Sequence, residues 1–259
     1  METSRFTYQH KQGSNMNKEP DKIQLEREVL LGADSLLRKL YGEYSVDDEQ
    51  TDKPDAAIMV KKPHKRLSSS REPIKVGIEI TIVDSREYLA YFGDNKFGRD
   101  LVDAQFENTL HHGVDPDKLN KQFKVKIPET YIFDGIKSKA KNYDTYSEKE
   151  KFGEVILLCF SNVLESNSAF LREGLVEWSN YYLSQVKFPY AKVLFLPFRS
   201  TTAIKIYDKR TPLNQRPSPY DFEDPWIITS DWPMLLTGKT YNILDFYNAP
   251  PLVPPKKKK

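Results

Sequence analysis

Residues 74 to 83 read Ile-Lys-Val-Gly-Ile-Glu-Ile-Thr-Ile-Val, and this stretch decides the fold class. Ile or Val occupies every even-numbered position, and Lys, Gly, Glu and Thr stand between them. Successive side chains of a strand point to opposite faces of its sheet, so the alternation predicts a strand with one buried face. We therefore expect a β-sheet to form a main layer of the protein.

Other periodic stretches complete this layer on the carboxyl-terminal side. Alternating or apolar stretches predict an edge strand at 123–133, interrupted by Pro128, and strands at 192–198, 202–207 and 226–229. A Ser147-Glu148-Lys149-Glu150 capping box predicts a buried helix to about residue 164, and a stripe of apolar residues predicts another helix over 168–186. This order predicts an α+β fold over residues 74–248, with a largely antiparallel sheet and helices on one face.

Residues 22–44, which precede the sheet, are predicted to form a separate amphipathic helix. Its apolar residues recur at steps of three and four, and those on its docking face are Leu25, Val29, Leu36 and Leu40. A helix of this length is marginal alone in water, so its apolar face must pack on something. Packing on the chain's own core and docking on a partner protein are the two alternatives. We expect a partner, because a long polar segment follows the helix.

Charge is segregated along the chain although its sum is small. Lys and Arg number 39 against 37 Asp and Glu, and the net charge of +2 argues against a uniformly basic protein that coats nucleic acid. Acidic residues crowd into 47–55 and basic residues into 61–71, with prolines between them, so residues 45–73 are predicted to be a charged, disordered linker. We also expect disorder in residues 1–21 and a Pro/Lys-rich tail at 249–259.

Two compact basic blocks have the character of nuclear import signals. They are Lys61, Lys62, Lys65 and Arg66, and Lys256, Lys257, Lys258 and Lys259. We therefore expect a nuclear protein. Phosphorylation of the serines at 68–70, directly after the first block, would cancel two of its positive charges.

Two further groups of cations suit a nucleic-acid backbone. Lys137, Lys139 and Lys141 alternate and would share a face of an extended chain, and the ring of Tyr143 can stack on an unpaired base. The second group consists of Arg199, Lys205, Lys209 and Arg210. These residues predict contact with DNA or RNA without sequence preference.

Common catalytic motifs are missing from the sequence. The four histidines and Cys159 lack the spacing of a zinc site, and the chain contains neither a glycine-rich phosphate loop nor a serine nucleophile elbow. The longest apolar run has six residues, against the ~20 that span a bilayer. We expect no cofactor, no metal and no membrane partner.

One constellation nevertheless indicates an enzymatic alternative. Asp84 and Glu87 follow the carboxyl end of the 74–83 strand, and Asp94-Asn95-Lys96 supplies an acidic-x-Lys triplet. Two carboxylates bind a hard cation such as Mg²⁺, and a lysine offsets developing charge. These residues resemble the restriction-like nucleases, including the XPF type, although the Glu-Arg-Lys motif of that type is absent. The resemblance implies a metal-dependent nuclease with Asp84, Glu87, Asp94 and Lys96 as its site.

The sequence therefore leaves three functions open. We expect a non-enzymatic nuclear subunit or adaptor, which binds other protein subunits through the N-terminal helix and contacts DNA or RNA backbone through basic patches. The metal-dependent nuclease is the first alternative. A pure protein-interaction module is the second.

Overall fold

The computed structural model of the chain describes residues 18–50, 53–65, 67, 72–86, 88–89, 122–147, 152–220 and 226–230. The strands are β1 (Tyr44–Val46), β2 (Ala56–Val60), β3 (Ile74–Ile82), β4 (Gln122–Lys126), β5 (Glu154–Glu165), β6 (Lys192–Phe198), β7 (Ile204–Asp208) and β8 (Trp226–Ser230). The α-helices are α1 (Lys18–Gly32), α2 (Asp34–Tyr41), α3 (Tyr131–Ile136), α4 (Tyr143–Ser147) and α5 (Val176–Gln185). A 3-10 helix (Lys137–Asn142) joins α3 to α4, and a π-helical turn (Leu171–Leu175) precedes α5.

Six strands form one mixed sheet in the order β1-β2-β3-β5-β6-β7. The central strands β3, β5 and β6 are parallel, whereas β1-β2, β2-β3 and β6-β7 are antiparallel pairs. The predicted α+β class is confirmed. The predicted largely antiparallel sheet is confirmed only in part, because the central strands pair in parallel. Parallel neighbours need long crossover connections, and the segments before β5 and β6 carry helices that provide them.

The described residues belong to two compact units. One comprises Met1–Val83 and Glu129–Tyr220 and contains the six-stranded sheet. The other comprises Asp84–Pro128 and Asp221–Lys259 and contains the antiparallel pair of β4 and β8. The expected domain over residues 74–248 thus contributes to both units.

The N-terminal helix packs on the chain's own core. Val29 is buried in the same hydrophobic cluster as Val76 and Ile78 of β3, and the other three docking-face residues, Leu25, Leu36 and Leu40, are partly buried against it. The helix is also interrupted at Ala33, which separates α1 from α2. Of the two alternatives, the structure has the intramolecular one, so the helix is not a separate element.

The predicted disordered linker at 45–73 contains strands, and that prediction is wrong. Ala56–Val60 form β2, which pairs along its whole length with β3. These five apolar residues lie between the acidic and basic blocks. The free energy gained by burying them in the sheet exceeds the preference of the flanking charges for a solvated segment.

The predicted helix at 147–164 is also wrong over most of its length, because Glu154–Glu165 form β5. A strand between two parallel neighbours is buried on both faces, so its apolar run is continuous and periodicity does not separate it from a buried helix. Residues 131–133, expected to extend a strand, begin α3 instead.

Helices cover both faces of the six-stranded sheet. Ile78 faces the cluster formed with α1 and α2, whereas the neighbouring Glu79 accepts a hydrogen bond from Lys139 of the 3-10 helix. Because adjacent residues of a strand point to opposite faces, these contacts lie on opposite sides, and the expectation of helices on one face is corrected. No helix in the described part of the chain is long and apolar enough to span a bilayer.

Candidate active site

Two carboxylates lie close enough to influence each other: Asp55, directly before β2, and Glu79 of β3. The antiparallel register of β2 and β3 ends with Ala56 opposite Ile78, and Asp55 and Glu79 are the next residues on the two segments. Asp55 Oδ2 accepts the backbone N–H of Ile80 at 2.8 Å, which holds it against β3. Glu79 is only 5% exposed. Neighbouring carboxylates disfavour each other's ionisation, so compensating cations are expected close to this pair.

Gly77 allows the turn before β2 to reach this position. A Cβ atom on Gly77 would lie 2.8 Å from Cγ of Pro54, the residue before Asp55. Only a residue without a side chain permits this approach. Pro54 therefore packs directly over β3, on the face that carries Glu79.

The 3-10 helix and α4 supply the groups around Glu79. Lys139 Nζ donates a hydrogen bond to Glu79 Oε1 at 2.7 Å, and the hydroxyl of Tyr146 also hydrogen bonds to Glu79. The hydroxyl of the fully buried Tyr190 donates to the carbonyl oxygen of Lys139 at 3.2 Å. These bonds fix both ends of the Lys139–Glu79 contact.

Helix α1 adds a third carboxylate and a second lysine. Lys22 Nζ lies 3.2 Å from Glu26 Oε1, one turn along the helix, and 3.6 Å from Asp55 Oδ1. Glu26 and Asp55 are each 13% exposed at the side chain, and Lys22 is 69% exposed. We refer to Glu26, Asp55, Glu79, Lys22 and Lys139 as the Asp55–Glu79 cluster.

Carboxylates outnumber ammonium groups in this cluster, and their pKa values reflect it. Burial raises the pKa of Glu79 and the charge of Asp55 adds to this, while Lys139 opposes both. Burial followed by the charge of Asp55 likewise raises the pKa of Glu26. The cluster therefore favours an additional positive charge.

The carboxylates of this cluster are the kind of ligand that magnesium takes. Among the described residues, no three His, Cys, Asp or Glu side chains are grouped so as to hold a metal ion. Mg²⁺ keeps several waters and binds through one or two carboxylates together with substrate phosphates. Asp55 and Glu79 provide two such carboxylates. A small open cavity reaches Glu26 and Asp55 from solvent, and Glu79 and Lys139 are not part of its lining.

A second buried acid lies at the start of β5. Glu154 hydrogen bonds to the ammonium of Lys192 and to the hydroxyl of Tyr41, and the guanidinium of Arg210 lies 3.6 Å from its Oε2. Burial and the neighbouring carboxylate raise the pKa of Tyr41, so it remains a neutral donor. These four residues are the Glu154 cluster, in which two cations meet one carboxylate.

The nuclease site expected from the sequence falls mostly outside the described residues. Asp84 is buried, at 5% exposure. Glu87, Asp94 and Lys96 lie outside the described part of the chain, so that constellation stays a prediction.

The three lysines of the first basic group do not share a face. They lie on a 3-10 helix, in which successive residues turn by about 120°, so positions 137, 139 and 141 point in three directions. Lys137 pairs with Asp134 at 2.6 Å, and Lys139 points to Glu79. Lys141 is exposed, and the ring of Tyr143 packs edge-on against Tyr190 at 5.2 Å between centroids.

The second basic group is divided between two ends of the sheet. Arg199 follows the carboxyl end of β6, whereas Lys209 and Arg210 follow β7, which runs antiparallel to β6. Lys205 pairs with Asp208 at 3.2 Å, and Lys209 donates to the carbonyl of Pro189 at 3.3 Å. Arg199 lies 4.0 Å from Glu165 and is 74% exposed at its side chain. These cations do not form one patch.

The basic blocks expected to direct nuclear import are described only in part. Lys61 pairs with Glu43 at 2.7 Å, and Lys62 and Lys65 are exposed. Arg66, residues 68–70 and the lysines at 256–259 lie outside the described residues. Nuclear import stays a prediction.

Sequence reasoning missed Glu26, Asp55 and Glu79 as site residues. Two signals were available: an acidic residue directly before the apolar stretch Ala56–Val60, and a glutamate in the middle of an otherwise apolar strand. Both were interpreted as solvated charges, because pairing between β2 and β3 was not expected.

Comparison with protein families, with curated proteins and with solved structures found no match to this chain.

Proposed function

We propose that the protein is a metal-dependent nuclease whose active site is the Asp55–Glu79 cluster. The observation that carries the proposal is the buried Glu79, whose pKa is raised by burial and by the charge of Asp55, with the ammonium of Lys139 2.7 Å away. Neighbouring carboxylates disfavour each other's ionisation, and a divalent cation would relieve this repulsion. The proposal keeps the nuclease alternative and transfers it to different residues.

Each side chain has a distinct role in this proposal. Asp55 and Glu79 would hold Mg²⁺ through their carboxylates. When bound, the cation lowers the pKa of its water and stabilises charge on the phosphate. Lys139 offsets the negative charge that develops on the phosphoryl oxygens. Tyr146 and Tyr190 orient Glu79 and Lys139 through the bonds described above.

The reaction is the hydrolysis of one phosphodiester bond. A water oxygen bonds to phosphorus, and the bond between phosphorus and the sugar oxygen breaks with its electron pair on that oxygen. The water releases one proton to solvent, and the leaving oxygen takes one up. Support for nucleic acid as substrate comes from the exposed cations Lys141 and Arg199.

The experiment compares cleavage of labelled DNA and RNA, single-stranded and duplex, with Mg²⁺ or Mn²⁺. We expect Asp55→Asn, Glu79→Gln and Lys139→Met each to lower kcat by about 100-fold or more, because each removes a charge that acts on the reacting phosphate. Asp134→Asn is the matched control. It removes an exposed carboxylate that pairs with Lys137, and we expect it to keep wild-type activity.

Other outcomes would decide for the other functions. Wild-type protein that binds DNA or RNA but cleaves neither would favour the non-catalytic nuclear subunit, which stays a prediction. Protein that neither binds nor cleaves nucleic acid would favour the pure interaction module. Cleavage that is unchanged in Asp55→Asn would place the active site elsewhere.

A further inference from the structure

Apolar side chains are exposed on the outer side of α1 and on the edge strand β1. Among the residues that the structure describes, four large apolar side chains are exposed, and three of them, Ile23, Leu31 and Val46, belong to these two elements. Leu31 is the most exposed of the four, at 64%. Single exposed apolar residues are common on soluble proteins, whereas a group of them indicates a contact surface.

The outer side of α1 is distinct from the side that packs on the sheet. Ile23, Arg27 and Leu31 follow one another at steps of four and therefore share one side of the helix. Val29 is buried in the core, and two residues correspond to about 200° around a helix, so it lies opposite Arg27. Val46 lines the same small surface cavity as Ile23 and extends the apolar area. A surface helix is normally polar on the side that faces water, and α1 departs from this pattern.

The charges on this side of α1 are complementary to those of a second copy. Arg27 is exposed, and Glu28 follows it directly. Gln24 Nε2 donates to Glu28 Oε1 at 3.0 Å, a contact with a neutral group that leaves the negative charge of Glu28 in place. If two α1 helices pair antiparallel with Arg27 at the two-fold axis, each Arg27 lies beside Glu28 of the second copy, and these contacts offset the repulsion between the two arginines.

The same arrangement brings the apolar residues together. Ile23 and Leu31 lie four residues before and after Arg27, so an antiparallel pair centred on Arg27 places Ile23 of one copy against Leu31 of the other. Each of these contacts occurs twice, as in every isologous interface. The surface is therefore complementary to itself in both apolar contact and charge.

We propose that the outer side of α1 binds the same side of α1 in a second copy of the chain, antiparallel and centred on Arg27. Helix α1 has 15 residues and is about 22 Å long. A contact of this length is small beside the ~1,200–2,000 Å² of stable interfaces, so we expect a weak dimer with a Kd on the order of 10 µM. This pairing is independent of the proposed nuclease function.

Sedimentation equilibrium of the full chain, at concentrations below and above this Kd, measures the association. We expect Leu31→Glu to raise Kd about tenfold or more, because it places a carboxylate in the apolar contact. Val186→Glu is the matched control: Val186 is 54% exposed and follows α5, and its substitution should leave Kd unchanged.

A charge exchange tests the arrangement of the two helices. Arg27→Glu and Glu28→Arg should each raise Kd about tenfold, because each places like charges beside one another across the axis. The double variant Arg27→Glu with Glu28→Arg should return Kd close to the wild-type value, since the exchanged charges again attract. Damage to the helix itself would not be repaired by the second substitution, so recovery reports the contact between copies.

Three results would overturn the inference. Wild-type protein that stays monomeric well above the expected Kd would show that a different protein covers this surface. An unchanged Kd in Leu31→Glu would place the dimer contact on another part of the chain. Losses that add in the double variant, without recovery, would exclude antiparallel pairing centred on Arg27.

Discussion

The Glu154 cluster and the Asp55–Glu79 cluster are both built on the six-stranded sheet, but their charges are balanced differently. In the first, a single carboxylate is met by Lys192, Arg210 and the Tyr41 hydroxyl. In the second, three carboxylates share the ammonium groups of two lysines. A buried carboxylate whose partners are two cations and a hydroxyl forms a closed structural contact. A cluster with a surplus of carboxylates retains attraction for a further cation.

The two clusters also differ in their access to solvent. Glu154 and Lys192 are 6% and 10% exposed at their side chains, so neither partner can leave without exposing a buried charge. Lys22, in contrast, is 69% exposed and can withdraw from Asp55 into water. Burial therefore keeps the contact between Glu154 and Lys192 in place. Exposure allows another cation to replace Lys22 beside Asp55.

The largest expected effect comes from breaking the Glu154 cluster. Glu154→Gln should lower the free energy of unfolding by about 3 kcal/mol, because it leaves Lys192 buried without its counter-charge. Urea denaturation measures the change. The double variant Glu154→Gln with Lys192→Met should recover part of the loss. Equal stability of Glu154→Gln and wild type would show that the Glu154 cluster does not stabilise the fold.

The next effect concerns cation binding. At a free Mn²⁺ concentration of about ten times Kd, we expect a stabilisation of ~1.4 kcal/mol, or a Tm rise of about 3–6 °C. Glu79→Gln should abolish the rise, since it removes one of the two ligands. Lys205→Met removes a cation on β7, the strand at the opposite edge of the sheet from β1, and should keep the Tm rise. A rise that persists in Glu79→Gln would contradict the assignment of the cation to this cluster.

The third prediction concerns pH in the absence of metal. The pKa values of Glu26 and Glu79 are raised in the folded protein, so the folded state holds these protons more tightly than the unfolded state. Their stabilising contribution is complete below the ordinary carboxyl pKa and is lost as pH rises through the raised values. The stability of Glu79→Gln relative to wild type should therefore increase between acidic and neutral pH. Thermal unfolding with EDTA across this range provides the measurement, and a constant difference would contradict the charge surplus.

The smallest effect tests the competition by Lys22. Lys22→Met should tighten Mn²⁺ binding by about threefold, because exposed ion pairs contribute only ~0.2–1 kcal/mol. Lys39→Met, at an exposed position of α2, is the matched control. Calorimetric titration gives both affinities. Weaker binding in Lys22→Met would mean that Lys22 helps to hold the site and does not compete for it.

Parts of the fold were predictable because their burial pattern is local. The strands at 74–82 and 192–198 and the helix at 176–185 lie where periodicity predicts them. β2 and β5 were missed because one is a short apolar stretch between charge blocks and the other is buried on both faces. In neither case does a single sequence distinguish the strand from its alternatives.

Very little of the candidate site was predictable. Lys139 was identified as a functional cation, but its expected partner was a phosphate and its observed partner is Glu79. Asp55 and Glu79 lie in segments that were assigned to a linker and to the solvated face of a strand. Their meeting depends on the pairing of β2 with β3, which the spacing of residues along the chain does not reveal.

The sequence alone determined that the chain contains a sheet with strands at 74–82 and 192–198, because alternation and apolar runs report the burial of each residue's own side chain. Only the tertiary structure decided that Glu26, Asp55, Glu79 and Lys139 meet, and that α1 packs on its own sheet. The physical reason is that charge pairing and packing act between residues that are neighbours in space, and the register of strands and the crossover helices determine those neighbours.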